Sequence, residues 1–128
     1  MSKLSSIRRI DRARLRSARW AAGALRGLRR PKGALGQVPP PPGALADDAR
    51  WGVEVVLRLG RATCLERSRV VQAWETAHGR PCEVVIGVNR PSDGFKAHAW
   101  LERRDGPSAA PGAYEELTRL TGADTPPR

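Results

Sequence analysis

Aromatic residues are scarce: one phenylalanine, Phe95, one tyrosine, Tyr114, and four tryptophans in 128 residues. A core built from this chain must therefore be mostly aliphatic. Cysteine is rarer still. Cys64 and Cys82 are the only two, too few for a disulfide framework, and no Cys and His stand at metal-ligand spacing. Long apolar runs are missing, since nothing approaches the roughly 18 residues that span a bilayer. The basic N-terminus has no uninterrupted apolar stretch behind it, which argues against a secretory signal. These absences set the expectation of a cytoplasmic protein without a membrane span. The length implies one modest domain, marginally stable alone, for which a partner protein is a natural support.

What the chain has in excess is positive charge, and it is unevenly placed. Residues 1–37 hold eleven Lys and Arg against one acid, Asp11, and so carry the whole net charge of +10. Residues 38–128 hold twelve bases and twelve acids. The first segment is thus a basic arm, with Ile7, Ile10, Leu15, Ala18, Ala21, Ala22, Leu25 and Leu28 at helical spacings and Pro31 as the stop. Such an arm suits nucleic acid, an anionic membrane surface with Trp20 at the interface, or a partner protein. It lacks aromatic interleaving and any nucleic-acid motif, which ranks nucleic acid last.

Pro39 to Pro42 form an unbroken proline run, a stiff segment without backbone hydrogen bonds. The expected organisation is a basic helical arm over 1–37, a Pro-rich linker over 38–46, a catalytic domain over 47–122 and a loose tail over 123–128. Within the domain, a helix is expected over about 47–59, capped by Asp47 or Asp48, with Gly52, Val55, Val56 and Leu59 on its buried face. A second helix runs from about Cys64 to Ala77. Thr63 is its N-cap, Glu66 completes capping-box spacing, and Val70, Ala73, Trp74 and Ala77 form the buried stripe. CEVVIGV at 82–88 reads as a central strand. Residues 89–94 are turn chemistry, including Asp93 and Gly94. Residues 95–102 alternate as a strand, and Arg104-Asp105-Gly106 predicts a hairpin turn. The stretch 113–121 reads as a short helix. Helices followed by an antiparallel sheet define an α+β fold.

Two residues can carry chemistry. Cys64 stands where a helix begins, facing unpaired N–H groups and the positive end of the helix dipole, a setting that stabilises a thiolate. Taken alone, it is equally readable as a small buried side chain. His98 lies mid-strand beside Trp100, on the face shared with Lys96 and Glu102, a setting for a partly shielded general base or for an ordinary hydrogen-bonded histidine. A helix-start Cys followed by a strand His is the layout of thiol enzymes whose pair meets in space. Cys82 reads as structural, and His78 as a helix-end residue complementing the dipole.

The flanking residues sharpen this. ATCLERSRVVQAW around Cys64, HGRPCEVVIGV, and GFKAHAWLE around His98 together resemble the transglutaminase-like leader peptidases of lasso-peptide biosynthesis, within the papain-like cysteine protease superfamily. The close resemblance covers Ala62 to Glu102. It implies N-terminal helices and an active-site helix packed on a small antiparallel sheet. It further implies a Cys64 nucleophile, a His98 base and an acyl-enzyme intermediate that water resolves. The substrate would be a ribosomally made precursor peptide, presented by a separate leader-recognition protein and passed to a macrolactam cyclase. No cofactor or metal belongs to that chemistry.

One position departs from the family. An Asp usually follows the His by about a dozen residues, but Ser108-Ala109-Ala110-Pro111-Gly112 carries no carboxylate. Such a third group holds the imidazole in its working tautomer. Asp105 and Glu102 are the nearby candidates for that orienting role. A non-catalytic relative, in which the fold only holds the leader or the cyclase, is the alternative reading, and a basic nucleic-acid-binding module the weaker one.

Overall fold

The computed structural model describes residues 3–30, 38–43, 45–89, 96–103 and 114–121. The chain divides into two compact units, 1–62 and 63–128. The hairpin turn at 104–106, the turn residues Asp93 and Gly94, and the tail lie outside the described residues.

The first unit is a pair of helices. Helix α1 spans Lys3–Leu28, and a short 3₁₀ turn, Asp47–Ala49, leads directly into α2, Arg50–Leu59. Ser17, Ala21, Ala24, Leu25 and Leu28 are buried, a stripe at three- and four-residue spacing. Leu15, expected on the apolar face, is exposed, whereas Ser17 is fully buried. The cause is a close helix crossing. The Ser17 hydroxyl lies within hydrogen-bond reach of the carbonyls of Ala49, at 2.6 Å, and Arg14, at 2.9 Å. A side chain at Gly52 would run into the Arg14 carbonyl and the Ser17 hydroxyl, so glycine is what lets the two backbones meet.

Two expectations for α2 need correction. Its N-cap position is Ala49 and that of the 3₁₀ turn is Ala46, and neither helix start has a side-chain cap from Asp47 or Asp48. The buried residues of α2 are Gly52, Val53 and Leu57, while Leu59 is exposed. The proline run does not stand apart from the helices. Trp20 Nε1 donates to the Pro39 carbonyl at 2.9 Å, and Val38 and Leu45 are buried. Helices α1 and α2, expected on either side of a linker at 38–46, pack on each other. Among the described residues, no helix is long and apolar enough to cross a membrane.

The second unit is one helix and a sheet. Helix α3, Cys64–Ala77, is followed by β1, Cys82–Val88, β2, Ala97–Arg103, and β3, Glu115–Leu120. The sheet is antiparallel in the order β2-β1-β3. The expected central strand is therefore central, and Val84 and Val85, on its opposite faces, are both fully buried. Asn89 and Lys96 close the β1–β2 connection: Asn89 N–H donates to the Lys96 carbonyl, and Lys96 N–H to Asn89 Oδ1. Helix α3 packs on β1 and β2 through a run that is buried from Ser68 to Glu75, whereas Ala77 is exposed.

Gln72 fastens this helix to the sheet. Its amide donates to the carbonyls of Cys82, at 3.0 Å, and Leu120, at 2.9 Å, and its oxygen accepts from Arg69 Nη1 at 3.1 Å. Burial pushes the Arg69 pKa down, because the charged guanidinium gives up water there.

The stretch expected as a terminal helix is instead β3. Glu-Glu-Leu-Thr-Arg-Leu has ordinary helix formers, but β1 has a second edge whose backbone groups need a partner, and tertiary pairing overrides local propensity. The register slips between Ile86 and Gly87: Ile86 faces Thr118 while Gly87 faces Glu116. Leu117 is thus the extra residue of a bulge.

Candidate active site

The first turn of α3 is fixed by its cap. Thr63 Oγ1 accepts from the Glu66 N–H at 3.1 Å, and Glu66 Oε1 accepts from the Thr63 N–H at 2.9 Å. Both halves of the capping box are formed. Cys64 follows as the first helical residue, half-buried and a free thiol. Its Sγ accepts from the backbone N–H of Ala99 at 3.4 Å. Strand β2 lies at the sheet edge, so N–H groups on its outer side are available to α3 rather than to β1. The sulfur therefore rests on the peptide that immediately follows His98.

His98 is half-buried and pairs in register with Gly87. Its described ring neighbours are aromatic. The Trp100 ring stacks at 6.0 Å between centroids with an interplanar angle of 22°, and Tyr114 lies tilted at 5.5 Å. Tyr114 also meets the Trp100 ring edge-on at 6.2 Å. Gly87 makes room for this cluster, because a side chain there would strike the Trp100 ring and the Glu115 carbonyl.

Behind Trp100 is a charge network. Its indole N–H donates to Glu102 Oε2 at 2.9 Å. Glu102, only 6% exposed, also accepts from Arg119 Nη2 at 2.8 Å through Oε1. Arg119 further holds Glu116, at 2.7 and 2.9 Å, and Glu83, at 3.1 Å. These hydrogen bonds from Glu116, Glu102 and Glu83 push the Arg119 pKa above its ordinary value, because each carboxylate favours the charged guanidinium.

Of the sequence-predicted residues, Cys64 touches the backbone of β2 at Ala99, the residue after His98. Glu102 is not a direct ring partner: its link to His98 in the structure is the Trp100 ring. Asp105 and the segment 108–112 lie outside the described residues. Cys82 is buried in β1 and His78 caps α3, with Nδ1 at 2.8 Å from the Trp74 carbonyl. Sequence reasoning missed Gly87, Tyr114 and Arg119. A glycine inside a β-branched run is the signal for the first, since it marks close approach. Tyr114 and Arg119 are brought in by the pairing of β3, which local pattern does not encode.

A capped helix presenting a cysteine and an antiparallel sheet carrying a histidine together make an α+β arrangement. The profile of the transglutaminase-like superfamily matches residues 8–121, nearly the whole chain, and the chain belongs to that superfamily, which includes cysteine peptidases. The match begins within α1. Neither the curated proteins nor the solved structures yield a match.

Proposed function

We propose that this chain is a cysteine peptidase that removes the leader from a ribosomally made lasso-peptide precursor. The observation that carries the reading is the seat of Cys64, on the α3 N-terminus with its sulfur against Ala99 N–H, one residue beyond His98. A thiolate there faces backbone donors instead of bulk water. His98 takes the thiol proton, and the sulfur attacks the carbonyl at the leader–core junction. His98 then delivers the proton to the leaving amine, and water hydrolyses the thioester. Thr63 takes the N–H of Glu66, which leaves the Cys64 N–H as the first donor to the developing oxyanion. No step needs a metal or a cofactor. The partners in this reading are the precursor, a leader-recognition protein and a macrolactam cyclase.

The test is cleavage of a precursor in the presence of its recognition protein. The parent cleaves, and Cys64→Ala and His98→Ala do not; cleavage by Cys64→Ala at the parent's rate ends the reading. A scaffold role is the second reading, favoured by the ring neighbours of His98, which among the described residues are aromatic. It predicts that the folded chain binds precursor or cyclase without cutting.

A further inference from the structure

We propose that Trp100, anchored by Glu102, is the positioning residue of His98, in the place that thiol enzymes commonly give to a carboxylate or amide. The inference rests on the thiol–imidazole reading above and names what holds the imidazole. A half-buried base on a strand face can adopt several rotamers, and only one serves the sulfur. A hydrogen-bonded orienter selects the rotamer through one ring nitrogen. A stacked indole does so through the ring face, provided that the indole itself is fixed. Here it is fixed three ways. Its N–H is bound to the buried Glu102 carboxylate. The carboxylate is held in turn by Arg119, which β3 brings across the sheet. Its ring lies in the space that Gly87 leaves empty. Tyr114 contacts both rings. Stacking leaves both ring nitrogens of His98 without a hydrogen-bond partner among the described residues.

The experiment uses the full chain and iodoacetamide, with alkylation of Cys64 followed by mass spectrometry at neutral pH; Cys82 is buried and separable as its own peptide. His98→Ala slows alkylation by ~10-fold or more, Trp100→Phe by ~3- to 10-fold, and the double variant is no slower than His98→Ala alone. Glu102→Leu behaves as Trp100→Phe does. Glu102→Gln, which keeps an acceptor for the indole N–H, stays within ~2-fold of the parent. Multiplying effects in the double variant would reveal a merely structural role and overturn the proposal, as would parent-like alkylation of Trp100→Phe or a Glu102→Gln variant as slow as Glu102→Leu. If Trp100→Phe fails to fold, the Glu102 pair decides alone. Failure of the underlying reading shows elsewhere, as a His98→Ala variant that alkylates at the parent's rate.

Discussion

The backbone N–H of Ala99 points at the sulfur of Cys64, 3.4 Å away. This contact joins the start of α3 to the edge strand that carries His98. Replacing the sulfur separates chemistry from packing. Cys64→Ser keeps the shape and an acceptor for Ala99, but an alcohol is far less acidic than a thiol. Precursor cleavage is expected to fall by on the order of 10³-fold or more. The half-buried position keeps the thermal midpoint near the parent's. A kinetic assay paired with a melt checks both.

Thr63 controls where that sulfur sits. Thr63→Ala removes the side-chain acceptor of the capping box at the helix turn that presents Cys64. The expected cost is about 1 kcal/mol of stability, read as a lower urea midpoint at unchanged slope. Iodoacetamide should also alkylate Cys64 more slowly, since the first turn frays. Glu66→Gln preserves the box geometry and should stay close to the parent in both measurements.

Gly87 separates β1 from the Trp100 ring. Gly87→Ala places a methyl group against that ring and the Glu115 carbonyl. Since β1 is central and Trp100 is buried, the strand cannot swing away freely. A loss of about 1–3 kcal/mol is expected. A changed near-ultraviolet circular dichroism band would show that the indole has moved. The prediction fails if the variant unfolds at the parent's urea midpoint.

How much of this was legible in the sequence follows from the range of each interaction. The capping box, α3 and the central strand are written in local residues, and all three stand where the pattern puts them. Local pattern reads 113–121 as helix because the conformation of β3 is set by the vacant edge of β1, some thirty residues earlier. Periodicity places Val55, Val56 and Leu59 on the buried face of α2 because it cannot foresee that α1 crosses at Gly52 and draws Ser17 inward. The Cys64 and His98 positions came from local motifs. The surroundings of His98 came from elsewhere: Tyr114 precedes β3 directly and Arg119 lies within it, so neither was visible before the sheet order was known.

Gly52 makes the closeness of the helix crossing in the first unit measurable. Gly52→Ala would raise intrinsic helix propensity, a gain of up to about 1 kcal/mol in an isolated helix. In the folded unit the added methyl meets the Arg14 carbonyl and the hydrogen-bonded Ser17 hydroxyl. Overpacking should win, with a net loss of about 1–3 kcal/mol. A urea titration of the full chain decides the sign, and a more stable variant would mean that α1 and α2 can separate without cost.

Gln72 offers the sharpest test of how α3 is held to the sheet. Its amide nitrogen serves two carbonyls, one at the start of β1 and one at the end of β3, and its oxygen serves Arg69. The side chain is almost fully buried, so water cannot replace it at those sites. Gln72→Leu fills a similar volume and adds apolar surface, which alone would stabilise. Against that, it withdraws three hydrogen bonds at once inside a low-dielectric contact, where unmet polar groups cost about 1–3 kcal/mol each before relaxation. The polar loss outweighs the apolar gain, and a destabilisation of about 2–4 kcal/mol is expected. Because both tethered carbonyls lie at one end of the sheet, amide hydrogen exchange should rise first in β3, the strand with the most exposed residues. Faster exchange across β1 and β2 at the same free energy would mean instead that the second unit opens as one piece.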